Sequence, residues 1–107
     1  MNIRTFTIAG LSAALSILAV PLHAEGNAAA GKNKTAMCAG CHGIAGYRTA
    51  YPETYRVPKL GGQNAGYIVN ALKAYKAGER QHPTMKAIAA SLTDQDMADL
   101  AAYYSAK

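Results

Sequence analysis

The sequence predicts an all-α domain of three main helices joined by loops, and three observations predict it. Apolar residues recur at helical spacing in two long stretches, 64–77 and 93–104. The second of them opens on Thr93-Asp94-Gln95-Asp96, which resembles a capping box. Around the two cysteines no strand pattern is visible, and the tract that follows them is broken by glycine and proline.

The N-terminus stands apart from that domain. Met1-Asn2-Ile3-Arg4 is a short region with one basic side chain. An apolar run of 16 residues follows, Thr5 to Val20, and then Pro21-Leu22-His23-Ala24, a helix break ending on a small residue. This layout predicts a secretory signal peptide, residues 1–24, cleaved after Ala24. A membrane anchor is the alternative, but the run falls short of the ~20 residues that span a bilayer. After cleavage no transmembrane segment is expected. The mature domain would be residues 25–107, 83 residues in all. A chain this short buries a small share of its surface and commonly depends on a staple.

The first helix is expected from about Asn27 to Met37, with Asn27 as N-cap. Ala28, Gly31, Thr35 and Cys38 fall on one face of small residues. A glycine inside a helix costs up to ~1 kcal/mol relative to alanine. A close helix crossing at Gly31 would account for it. From Gly43 to Gly62 the periodicity is weak, and Gly43, Gly46, Pro52, Pro58, Gly61 and Gly62 mark a long loop. Loops of that length in small domains are usually functional.

The second helix runs from about Asn64 to Ala77, with Ile68, Leu72 and Tyr75 as its apolar stripe, Tyr67 and Ala71 on the same side, and Gly78 as its terminator. Glu79 to about Thr84 reads as loop, and Lys86 to Ser91 as a short helical turn. The last helix starts at Thr93, where Thr93-Asp94-Gln95-Asp96 resembles a capping box with Asp in the acidic position. Met97, Leu100, Ala101 and Tyr104 form its buried stripe.

The chemistry sits at Cys38-Ala39-Gly40-Cys41-His42. A Cys-x-x-Cys-His run reads as a c-type haem attachment site. Two cysteines on one helical turn can each form a thioether to a vinyl group of the same porphyrin, and the next histidine can ligate the iron. Other readings of the pair fare worse. A thioredoxin-like redox pair needs a βαβ context. A structural zinc needs four ligands, and only His23 and His82 remain beyond the motif. A disulfide would leave His42 unexplained. One covalently bound haem c, held through Cys38 and Cys41, is therefore expected, and it would supply the apolar core that 83 residues lack. Pro58-Lys59-Leu60 is the part of the loop expected nearest the ring.

With His42 on one side of the iron, the other side has four candidates: Met37, Met85, Met97 and His82. Met37 adjoins Cys38 and cannot reach across the ring. Met97 lies on a helical stripe, where methionine is more often core filler. Met85 follows Pro83 in a non-periodic segment that can present its sulfur, and it leads. His82, three residues away, is its competitor. A His/Met pair raises the haem potential and leaves no open position on the iron. That favours electron transfer over catalysis.

The mature chain carries ten Lys and Arg against six Asp and Glu. A positive face can steer an acidic partner, and ordinary solubility charge would look the same. An exported chain without a clustered basic run gives no ground for nucleic-acid binding. The seven tyrosines, at 47, 51, 55, 67, 75, 103 and 104, suit the rim of a haem with its propionates.

Taken in order, these motifs resemble a class I c-type cytochrome over essentially all of 25–107. The features are Gly31 ahead of Cys38-Ala-Gly-Cys41-His42-Gly43, then Pro58-Lys-Leu60-Gly-Gly-Gln63, then Pro83-Thr-Met85, then Leu100-Ala-Ala-Tyr103-Tyr104. The chain is most similar to small periplasmic bacterial cytochromes and to one half of the soluble two-haem type. The resemblance implies the class I cytochrome c fold, three main helices and loops around one covalently attached haem. It implies His42 and Met85 as axial ligands, Leu60 packed on the ring, and the carbonyl of Pro58 accepting the Nδ1–H of His42. It also implies that Gly31 and Tyr103 meet where the terminal helices cross. The expected function is periplasmic one-electron transfer with redox partner proteins in the periplasm or at the inner membrane, without enzymatic activity. The alternative is a haem-bearing, electron-accepting subunit of a periplasmic oxidoreductase complex.

Overall fold

The computed structural model describes residues 25–51 and 53–107. The expected signal peptide, residues 1–24, lies outside the described residues. Among the described residues five helices follow one another: α1 Ala28–Lys32, α2 Ala36–His42, α3 Ala65–Ala77, α4 Pro83–Ala90 and α5 Asp94–Ser105. The described residues form no extended strand, and Arg48 and Arg56 meet in an isolated antiparallel bridge.

The expected first helix is two. Asn27 caps α1, its side chain accepting the Ala30 N–H. The helix closes at Asn33, and Thr35 Oγ1 donates back to the Lys32 carbonyl, so the chain turns before α2 begins. The attachment motif consequently has a helix of its own, ending on His42.

Helix α3 matches its expected span. Asn64 accepts from the Tyr67 N–H, and Gly78 closes the helix at φ 78°, a left-handed conformation that a side chain would strain. Ile68 is buried on its inner face. Tyr67, expected on that side, is half exposed, with its hydroxyl accepting from Arg80 at 3.4 Å.

The largest correction concerns α4. Pro83 and Met85, expected in a loop, belong to a helix. Proline is tolerated at the first helical position, where its missing N–H is not needed. His82 supplies the cap: its Nδ1 accepts the Met85 N–H at 3.2 Å.

Helix α5 has the expected capping box. Thr93 Oγ1 accepts from the Asp96 N–H at 3.1 Å, and Asp96 Oδ2 accepts from the Thr93 N–H at 3.0 Å. Met97 and Leu100 are the largest fully buried side chains, and with Leu92 they form the core cluster against which Cys38, Leu72 and Tyr104 pack. The buried face is wider than the predicted stripe: Ala98 and Asp99 are buried too, because α1 lies along the other side of α5. Helix α3 packs against both α4 and α5.

Candidate haem site

Between α2, the loop after it, α3 and α4 lies a cavity of about 450 Å³. Cys38, Cys41 and His42 line it from α2, Pro58 and Leu60 from the loop, and Met85 from α4. All six residues singled out in the sequence thus face one cavity, although Met85 stands on a helix rather than a loop. Leu72 and Ile88 add apolar wall, with Leu92 and Leu100 from the core. The volume is of the order that holds an organic cofactor, and the lining is largely apolar, as a porphyrin face requires.

Local structure explains how each group arrives there. Cys38 and Cys41 are not joined in a disulfide. One helical turn places them on the same side of α2. Burial pushes the Cys38 thiol up from its ordinary value, against a smaller opposite effect of its hydrogen bond with Tyr104. Tyr104 is pushed up to about 12, by burial first and then by Cys38. Both groups are therefore neutral against the apolar wall.

His42 Nδ1 lies 2.7 Å from the carbonyl oxygen of Pro58. A carbonyl only accepts, so Nδ1 carries the proton and Nε2 keeps its lone pair. The cysteines and this imidazole are donors that suit a c-type haem: two thiols for thioether bonds, one ring nitrogen for iron.

The loop is better ordered than its composition suggests. Val57 N–H donates to the Tyr47 carbonyl and Thr49 N–H to the Tyr55 carbonyl, at 3.0 and 2.9 Å. Thr49 Oγ1 accepts from Tyr55 N–H and donates to the Glu53 carbonyl. This ladder delivers Tyr55 to the cavity, where its ring lies 4.1 Å from that of His82. Tyr75 meets the same imidazole edge-on at 6.2 Å. Arg80 lies 4.7 Å over the Tyr75 ring, and Arg56 reaches the cavity as well.

Sequence reasoning missed Arg56 and Arg80 altogether, and placed His82 only as a rival ligand. The available signal was Gly78-Glu79-Arg80: a helix terminator turns the next residues back toward the face of α3 that carries Tyr75.

A helical shell closed around two thiols and a ring nitrogen makes the molecule a c-type haem protein of the all-α class. The family model for cytochrome c matches residues 24–105, and the chain belongs to that family. It is 42% identical over 85 residues to cytochrome c-554(548) of Halomonas halodenitrificans, covering 77% of this chain and 98% of that protein. Cytochrome c4 of Pseudomonas aeruginosa is 40% identical over 85 residues, covering 79% of this chain but 40% of that protein. The solved structure of reduced recombinant cytochrome c4 from Pseudomonas stutzeri superposes with a TM-score of 0.61 at 36% identity, over 77% of this chain and 46% of that one. The chain thus spans about half or less of the length of the cytochrome c4 relatives it matches. The fold is that of class I cytochrome c, and the protein carries one covalently bound c-type haem.

Proposed function

We propose that the protein is a periplasmic one-electron carrier whose haem iron is ligated by His42 and Met85. The observation that carries this reading is the placement of both residues on one cavity, His42 from α2 and Met85 from α4. The periplasmic location rests on the leader-like composition of residues 1–24. Among the described residues no helix is long and apolar enough to cross a membrane.

When bound, the haem supplies the ferric–ferrous couple. The chain supplies the rest. Cys38 and Cys41 hold the group covalently through their sulfurs. The Pro58 carbonyl fixes the tautomer and ring orientation of His42, leaving Nε2 as the donor nitrogen. The Met85 thioether is a soft, neutral donor that favours the reduced state relative to a nitrogen ligand. Leu60, Leu72 and Ile88 exclude water from the cavity. Arg56 and Arg80 bring positive charge to its wall, and we assign them to the haem propionates. With His42 and Met85 both given to the iron, no position would be left there for a substrate, in keeping with a carrier rather than an enzyme.

Substitution of Met85 tests the reading. In the ferric holoprotein, Met85→Ala should abolish the methionine–iron charge-transfer band and let added azide or imidazole bind. Met85→His should stay low-spin and lower the midpoint potential. Retention of the band in Met85→Ala would overturn the ligand assignment.

A further inference from the structure

Histidine is an unusual helix cap. The residues that serve best are Asn, Asp, Ser and Thr, whose short side chains fold back onto the first N–H groups. In α4 the cap is nevertheless His82, in extended backbone at φ −166°, with its Nδ1 accepting the Met85 N–H at 3.2 Å. The bond is made to the methionine's own backbone. It therefore fixes the residue that faces the iron position. Pro83 has no N–H, and there is no acidic side chain in the first turn of α4.

The imidazole is itself held. Tyr55 stacks on it at 4.1 Å with planes tilted by 35°, and Tyr75 abuts it edge-on at 82°. Tyr55 comes from the loop after α2 and Tyr75 from α3, so three parts of the chain converge on one ring. All three side chains line the cavity together with Met85. A serine or asparagine could cap the helix but could not fill the gap between two tyrosines.

We propose that His82 is the positioning residue for the methionine ligand: through Nδ1 it anchors the Met85 backbone, and through its ring it ties that anchor to Tyr55 and Tyr75. The proposal rests on the assignment of Met85 to the iron. A ligand held in place is harder to displace than one on a frayed helix end. The strength of the anchor is thus readable as resistance to an external ligand.

The test is titration of the ferric holoprotein with imidazole, which competes with Met85 for the sixth position. Losing a cap costs about 1 kcal/mol, so His82→Ala and His82→Gln should each bind imidazole about fivefold tighter than the parent. His82→Asn, which keeps a capping group but loses the ring, should fall between the parent and His82→Gln, at about twofold tighter than the parent. Without imidazole all three should remain low-spin and keep the charge-transfer band. Equal imidazole affinity in parent, His82→Ala and His82→Gln would overturn the proposal, even if melting temperatures fell, because that pattern marks a purely structural role. So would His82→Asn behaving like His82→Gln. Failure of the underlying reading looks different: the band would persist in Met85→Ala, or vanish in His82→Ala while Met85→Ala retained it.

Discussion

A β-carbon on Gly31 would stand 2.9 Å from Cβ of Tyr103 and would overlap the carbonyl of Asp99. Helix α1 therefore crosses α5 with backbone nearly on backbone, and only glycine allows it. Gly31→Ala gains up to ~1 kcal/mol of helix propensity. It must also displace α1 from α5, and overpacking of this kind costs about 1–3 kcal/mol. Because the obstacle is main chain rather than a flexible side-chain end, the upper part of that range applies. We expect Gly31→Ala to lower unfolding stability by about 2 kcal/mol, net of propensity. A denaturant midpoint equal to the parent's would show that the crossing is looser than described.

The crossing is also where sequence reading works best. Gly31 stands out because it interrupts an otherwise good helix, and the cost of that interruption demands a tertiary reason. The same holds for Thr93 and Gly78, whose capping roles are local and therefore written in neighbouring residues. Helix α4 is harder to read because its cap is a histidine and its first residue a proline, which together suggest loop. The break between α1 and α2 rests on a side chain returning to a carbonyl, a weak local signal. At the site, Cys38, Cys41 and His42 are legible because covalent attachment demands a fixed spacing. Tyr55, Tyr75 and Arg80 belong to the site only through tertiary convergence, which no local pattern announces.

The terminal helices are also joined by charge. Asp99 is 3% exposed and is met by the Asn27 N–H at 2.8 Å, Lys34 Nζ at 2.7 Å and Gln95 Nε2 at 2.9 Å. Lys34 bridges to Asp96 as well. The Lys34 ammonium, first among the causes, holds both carboxyls down from 3.8 to about 2. A carboxyl whose value is lower folded than unfolded stabilises fully above its unfolded value. That stabilisation is lost as pH falls through the folded one. Thermal midpoints followed by far-ultraviolet circular dichroism should therefore drop between about pH 4 and pH 2. Lys34 is shifted upward from 10.5, chiefly by Asp96 and then Asp99, so its share is lost only as pH rises beyond that value. Asp99→Asn should lie below the parent at neutral pH and show a flatter acid limb. An unchanged acid limb in that variant would remove Asp99 from the account.

The cavity bears on folding as well. Its walls include the inner faces of α2, α3 and α4, and the largest fully buried side chains in the rest of the core are few, Met97 and the cavity-lining Leu100. Without the haem those inner faces meet water, and the core that remains is too small to order a chain of this length. The double variant Cys38→Ser/Cys41→Ser, purified without haem, should show little helical signal and no cooperative thermal transition. A sharp transition would mean that the helices fold before attachment.

Two methionines separate packing from ligation. Met97 is fully buried at 0% exposure among Leu92 and Leu100, whereas Met85 is only partly buried on the cavity. Met97→Leu nearly conserves volume and should change stability by less than about 1.5 kcal/mol. Met97→Ala should open a void and cost about 2–5 kcal/mol. Neither should move the charge-transfer band or the midpoint potential, since Met97 sits in the core cluster and is not among the residues that line the cavity. Met85→Leu should do the opposite, losing the band and opening the iron while leaving most of the helical packing in place. Parallel spectra and denaturation curves on the three variants check this. A lost band in Met97→Leu would place the ligand on α5 and empty α4 of its role.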